Sequence, residues 1–590
     1  MKVAGMLLVL ASMSALGQFD AAGAAVAAQQ KAIAEQRSAG SAGKSARQAL
    51  ESAEAAVDAE KIRAHVKFLS DDLLEGRGPG LRGAEIAAQY IATQFATYGL
   101  KPAGDNGTYL QQINFVGMKA IANKTTMSLL PKHAAGMGIE LHSIDLKYAD
   151  DYTVSNRKLT PTVDVDAPIV FVGYGVTAPE FGWDDYAGVD VKGKVILCIV
   201  GDPPSDDPKF FGGKALTYYG RWTYKFEQAA RMGAVGALII HRTDLASYGW
   251  DVVKNSNTSE KTYLRDNADP QLEAASWIQL AVAQQLFASA GMNIDEQMAA
   301  AGKRGFKAVE LPVRLKAHIE SVVRPFQSAN VVGMLTGPDC GGHDGRSGCK
   351  PGLDQAVLYT AHYDHLGFAA GMAGDNIYNG AADNATGCGM LLEMARVWAA
   401  SGLKVPHSVI FAAVTAEEQG LLRSEYMGQH PPVPAGQIAL DINYDMILPI
   451  GMPMQINVNG AQRTDFYPVV QAAAKRFKLE IVADQRPEAG SYYRSDHFSL
   501  SRVGIPAFSI DTGTLYEGHD AAWGKAKFQD FEDHDYHNFS DNYHADWDFK
   551  GNAKLDRLGI ELGWAALTAK KTISWNAGEE FEAARKASLK

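Results

Sequence analysis

Four apolar runs, 356–359, 409–414, 438–442 and 505–510, alternate with stretches of helical periodicity at 387–400, 421–429 and 466–477. Runs so largely apolar need both faces covered, and helices lying between them in the chain supply that cover. The alternation predicts an α/β fold: a doubly wound, mostly parallel sheet flanked by helices. Sheets of this kind bind ligands beyond the carboxyl ends of their strands. The polar residues gather at those ends: TAHYDHLGF follows the first run, TAEEQG the second, and INYDMI closes the third.

At 590 residues the chain exceeds what one hydrophobic core holds, so a second folded unit is expected. Residues 161–322 have strand-like runs at 168–172 and 195–200, a helix over 224–233 and a strand at 237–240, with none of the carboxylate and histidine clusters. They read as a non-catalytic, β-rich insertion dividing a catalytic domain into 58–160 and 323–590. Residues 1–17, with Lys2 ahead of an apolar stretch and small residues near a cut, read as a signal peptide. Residues 18–57, rich in small residues, read as a loosely helical or disordered leader.

No later segment approaches the roughly 20 apolar residues of a membrane helix. The expectation is a secreted or periplasmic protein with no membrane span after signal cleavage. A formal charge of -11 without a long Lys/Arg cluster excludes a nucleic-acid partner and a polybasic membrane anchor. Of four cysteines, Cys340 and Cys349 share the loop CGGHDGRSGC and suit a local disulfide, whereas Cys198 and Cys388 lie in apolar runs and read as buried thiols.

Adjacent glutamates such as Glu417 and Glu418 ordinarily lie on a solvated surface. The alternative is that a metal compensates one charge while the other carboxylate moves protons. A two-metal site needs about three protein ligands per ion, with one carboxylate shared. His362, Asp383, Asp445, one of the two glutamates and a downstream histidine can supply it. His362 and Asp445 would hold one ion, the glutamate and the histidine the other, and Asp383 would bridge. Asp364, two residues after His362, can orient the imidazole. Asp383 is open to a second reading as a helix cap. In DHDYHNFSDNYHADWDF, His537 and His544 compete for the last position, and His365, His497, His519 and His534 read as structural or exposed. Imidazoles with carboxylates and no thiolate suit zinc.

HYDHLG, GAADNATG, TAEEQG, NYDMI, SYYRSDHF with GIPAFSIDTGT, and YHNFSD together resemble the di-zinc exopeptidase family that includes bacterial leucyl aminopeptidases, glutamate carboxypeptidase and the transferrin receptor. The resemblance spans nearly all of 58–575, in order. It implies two zinc ions on His362, Asp383, Glu418, Asp445 and His537, and it fixes Glu417 as general base. It adds Tyr536 as hydrogen-bond donor to the oxyanion, with Tyr492 and Tyr493 as rivals. VFVGYGVTAPEFGWDDYAGVDVKGKVIL in the insertion resembles a protease-associated (PA) domain. The activity implied is that of an aminopeptidase acting on a peptide substrate through hydroxide held between the metals. A carboxypeptidase or dipeptidase on the same scaffold, and a non-catalytic receptor, are the alternatives.

Overall fold

The four apolar runs become adjacent parallel strands in the order Ala507–Ser509, Ile438–Asn443, Ala356–His362, Val409–Val414. The computed structural model describes residues 45–131, 143–246, 248–337, 356–369, 374–403, 405–484 and 487–590. The expected signal segment, the first part of the leader and the Cys340–Cys349 pair lie outside these residues. Cys198 and Cys388 are buried and free.

Successive side chains of a strand point to opposite faces, and both faces here are covered. Val357, Tyr359, Ala361, Phe411 and Ala413 join one core with the helices Ala59–Leu69, Arg82–Tyr98, Thr386–Ala400 and Lys550–Leu567. Leu358, Ile410, Ala412 and Val414 join a second, across the sheet, with Met427 and Leu500. The helix Ala59–Leu69 starts where Asp58 accepts a hydrogen bond from Glu60 N at 2.9 Å, and it buries Ile62, Val66 and Leu69 along one stripe.

One strand, Val309–Leu335, ties the chain together. Its first part buries alternate residues (Leu311, Val313, Leu315, Ala317, Ile319) and pairs antiparallel with Thr162–Phe171. Its last part is buried on both faces and pairs antiparallel with Val409–Val414. Beyond Thr162–Phe171 the sheet continues through Val195–Ile199, Gly236–His241 and Ala274–Gln279, in parallel, and ends at Tyr152–Ser155. The whole sheet is therefore mixed, with the expected parallel portion at the end formed by the strands of residues 356–509. Met127, Leu129, Tyr152 and Val154 lie in the core of the second unit, so this unit takes up strands upstream of residue 161. The sequence hid this, because a strand's apolar run does not say which of two sheets it joins.

Residues 45–55 are helical and anchored, where the sequence pointed to a loose leader. Leu50, Ala53 and Val57 are buried in the first core. Arg47 donates to Glu561 at 2.8 Å, and Arg476 reaches Glu54 at 2.6 Å. Small residues suit this helix because it packs closely against the domain. If the segment belongs to the folded unit, Leu50→Ala lowers stability to urea unfolding by about 2–5 kcal/mol. A loose leader would leave the unfolding midpoint unchanged.

Candidate metal centre

Each polar cluster stands at the exit of a strand. His362 ends Ala356–His362, Glu417 and Glu418 follow Val409–Val414, and Asp445 follows Ile438–Asn443. Asp383 lies in the turn before the helix Thr386–Ala400, and His537 follows the helix Ala521–His534. Ala416 (φ 53°), Met446 (φ 53°) and His537 (φ 57°) adopt the left-handed backbone unusual for residues other than glycine. Such conformations concentrate at functional sites, and here they turn three strand or helix exits abruptly toward one point.

Asp383 is the hub. Its Oδ1 lies 3.3 Å from His362 Nε2, and its Oδ2 lies 3.3 Å from His537 Nε2. His362 Nε2 also faces Asp445 Oδ1 at 3.1 Å, and His537 Nε2 faces Glu418 Oε2 at 3.1 Å. Two groups of donors result, His362–Asp383–Asp445 and His537–Asp383–Glu418, sharing one carboxylate. Glu417 offers an oxygen within 4.8 Å of donor atoms of His362 and Glu418. Asp364 stands behind: its carbonyl lies 3.2 Å from His362 Nδ1, and its carboxylate accepts from Glu417 N at 3.3 Å. Ser495 donates to Asp445 Oδ2 at 2.6 Å and accepts from Asn443 Nδ2 at 2.7 Å.

The electrostatics show what such a cluster demands. Burial disfavours a charged His362, yet Asp445 and Asp383 hold its pKa well above the ordinary value. Burial likewise opposes ionisation of Glu418, but His537 and His365 bring its pKa down to about 2. Glu417 differs, since burial pushes its carboxyl well up, opposed by His362 and reinforced by Glu418 and Asp445. Converging carboxylates with imidazole nitrogens turned toward them fit divalent cations, which supply the missing positive charge.

The other histidines are disposed of by position. His544 lies against Trp547, with ring centroids 5.5 Å apart, and His534 pairs with Asp530 on an exposed helix. His519 stacks on Trp523, and His497 is buried against Tyr492. Tyr492 is committed to Ser501 at 2.7 Å, and Tyr493 donates to Glu580 at 3.4 Å. Tyr536 stacks on His537 at 3.9 Å and is 41% exposed, so its ring borders the open side of the centre.

Three residues at the centre escaped the sequence reading. His365 is fully buried and donates from Nδ1 to Glu418 Oε1 at 2.7 Å; with Asp383 and Glu418 it forms a third group able to hold a metal. Asp541 accepts from Ala382 N at 2.8 Å and Asp383 N at 3.1 Å, fixing the turn that carries the shared carboxylate. Arg77, 1% exposed, donates to the carbonyls of Tyr363, Asn379 and Gly380 at 2.6–2.8 Å and to that of Leu69. It thereby clamps the loop after His362 to the loop before Asp383. Gly380 (φ +55°) belongs to this clamp, because a Cβ there would collide with Asp383 O and the His365 ring. The signal for His365 was its place three residues after His362; for Arg77 it was the turn EGRGPGLRG.

Residues 343–555, which include every proposed ligand, match the model of peptidase family M28. A curated relative, leupeptin-inactivating enzyme 1 of Streptomyces exfoliatus, is 26% identical over 288 residues, covering 48% of this chain and 59% of that protein. The chain thus spans less than two thirds of this relative's length. Among solved structures, an aminopeptidase from Aneurinibacillus sp. strain AM-1 aligns over 87% of this chain and 95% of its own, with 19% identity and a TM-score of 0.47. The zinc aminopeptidase BSAP of Bacillus subtilis aligns over 89% and 97%, with 16% identity and a TM-score of 0.41.

Because His365 holds one oxygen of Glu418, His365→Ala should weaken divalent-metal affinity by about tenfold or more. His365→Asn should restore part of it. Competition with a metal-sensitive dye checks this, and an unchanged affinity in the alanine variant contradicts the placement.

Proposed function

We propose that this chain, which carries a peptidase family M28 domain over residues 343–555, is an exported zinc metallopeptidase that removes N-terminal residues from peptides. The observation that carries the reading is the sharing of Asp383 between His362 and His537, 3.3 Å on either side, with Glu417 offering an oxygen within 4.8 Å of donor atoms of His362 and Glu418. Export rests on the sequence of residues 1–17 alone. Among the described residues no helix is long and apolar enough to cross a membrane.

His362, Asp383 and Asp445 would hold one zinc ion, and Asp383, Glu418 and His537 the other. When bound, the ions polarise the scissile carbonyl and lower the pKa of the attacking water. The chain's own residues do the rest. In this assignment Glu417 is the carboxylate that takes the proton of the attacking water and delivers it to the leaving nitrogen. Asp364 turns its backbone carbonyl to His362 Nδ1 and its carboxylate to Glu417 N, so one residue aligns both a ligand and the base. The proposed donor to the developing oxyanion is the hydroxyl of Tyr536, whose ring stacks on His537, and that stacking supports the assignment.

Glu417→Gln keeps the shape and removes the proton acceptor. Turnover of aminoacyl fluorogenic substrates should fall at least about a thousandfold, a loss within the range of general-base removal combined with misplaced water. Elemental analysis should still find the wild-type zinc content. Equal loss of zinc and activity would make Glu417 a ligand instead.

Treating the protein with a chelator should abolish turnover, and zinc should restore it. Peptides blocked at the N-terminus should resist cleavage while those blocked at the C-terminus are cut. The reverse preference would assign a carboxypeptidase.

A further inference from the structure

The strand Ile438–Asn443 carries a carboxyl group in the middle of the sheet. Asp441 interrupts an otherwise apolar run, in a strand hydrogen-bonded on both sides, to Ala356–His362 and to Ala507–Ser509. It is fully buried, and its Oδ2 has no hydrogen-bond partner among the described residues. Its Oδ1 lies 3.0 Å from Thr360 Oγ1. Among the described residues no group of side chains able to hold a metal includes Asp441.

Thr360 begins a continuous series of contacts that ends at a proposed ligand. Its Oγ1 lies 2.9 Å from Asn443 Oδ1, Asn443 Nδ2 lies 2.7 Å from Ser495 Oγ, and Ser495 Oγ lies 2.6 Å from Asp445 Oδ2. The direction follows from counting hydrogens, since a hydroxyl has one, an amide nitrogen only donates and an amide oxygen only accepts. At the ligand end, the Ser495 hydrogen goes to the Asp445 carboxylate, because the contact on its other side is itself a donor. Turning the amide over would set its oxygen and that carboxylate in competition for a single hydrogen, so the orientation of Asn443 is fixed. The amide oxygen then faces Thr360 and takes the threonine hydrogen. Nothing remains for the 3.0 Å contact with Asp441 unless the hydrogen there belongs to the carboxyl group itself.

Ionisation would leave two acceptors in contact and a bare anionic oxygen in the core, a costly burial that holding the proton avoids. Burial pushes this carboxyl well above the ordinary range, opposed by Thr360 and reinforced by Asp496. The opposition falls away once the threonine hydrogen is committed to Asn443. We propose that Asp441 is a neutral carboxylic acid and a positioning residue: it donates to Thr360 and so sets a one-way relay through Asn443 and Ser495 that fills Asp445 Oδ2 and leaves Oδ1 turned to His362, 3.1 Å away. An apolar setting can keep a carboxyl neutral so that it donates a hydrogen bond. The direction of the relay rests on the metal-centre reading proposed above, in which Asp445 is ionised as a ligand.

Infrared difference spectra between the full-length wild type and Asp441→Asn, metal-free and at neutral pH, test the protonation state. The wild type should show the C=O stretch of a protonated carboxyl, absent from the variant and shifted by isotope labelling of the aspartate carboxyls. Absence of that band means an ionised Asp441 and overturns the proposal. Zinc affinity, from competition with a metal-sensitive dye, tests the positioning role. Asp441→Asn keeps a donor facing Thr360 and should bind zinc as the wild type does. Asp441→Leu, and Thr360→Val one step along the relay, should each weaken binding by about tenfold or more. The double variant should lose no more than either single one, because the same relay is cut twice. Thr360→Val keeps the shape of the side chain, so it carries the test if Asp441→Leu fails to fold. Unchanged affinity in the leucine and valine variants, or a loss in Asp441→Asn equal to that in Asp441→Leu, would overturn the relay. The two readings fail separately. Zinc binding without the band leaves the metal centre and removes the neutral acid, whereas the band without zinc binding by the wild type removes the metal centre and the positioning role with it.

Discussion

The bidentate sharing of Asp383 is the constraint on which the rest of the centre depends. One carboxylate presents its two oxygens to two imidazoles, His362 and His537, that arrive from distant parts of the chain. Burying that carboxylate opposes its ionisation, yet hydrogen bonds from both histidines hold its pKa well below the usual range. Around it lie Glu418, Asp445 and Glu417, and such a concentration of negative charge is stable only with cations at its centre. The same shortage of positive charge that makes the site costly in isolation suits it to hold divalent metals.

The scaffold meets this demand by fixing the carboxylates from behind. Asp541 takes up the backbone N–H groups of Ala382 and Asp383. Asn384 donates to Tyr444 O at 2.9 Å and accepts from Met446 N at 3.0 Å, joining the turn of Asp383 to the strand exit of Asp445. Arg77 adds a full charge where burial lowers its pKa, and it spends its donors on backbone carbonyls rather than on a carboxylate. The clamp therefore stabilises loop geometry without neutralising a ligand, and Asp383 and Asp445 remain free to face outward.

Much of this was legible in the chain. The parallel order of the strands over 356–509 and the gathering of candidate ligands at their ends both follow from apolar runs ending in polar clusters, because a doubly wound sheet leaves its strand exits on one edge. The choice of His537 over His544 was not legible from residues alone. Both lie in one acidic segment, and only the left-handed turn at His537 aims its ring at Asp383. His365 was passed over because a loop reverses direction after His362, so proximity in sequence did not give reach in space. Arg77 acts across about three hundred residues of chain, a contact that no local pattern encodes. The second unit's edge was also misjudged, because the strands over 126–155 carry no mark of which sheet they join.

The central claim, two cations sharing Asp383 with Glu417 outside the ligand set, is tested most directly by anomalous diffraction at the zinc edge from crystals of the zinc-loaded protein. The account predicts two peaks, one between His362, Asp383 and Asp445 and one between His537, Asp383 and Glu418, with the Glu417 carboxylate bound to neither. A single peak, or a peak coordinated by Glu417, would contradict it.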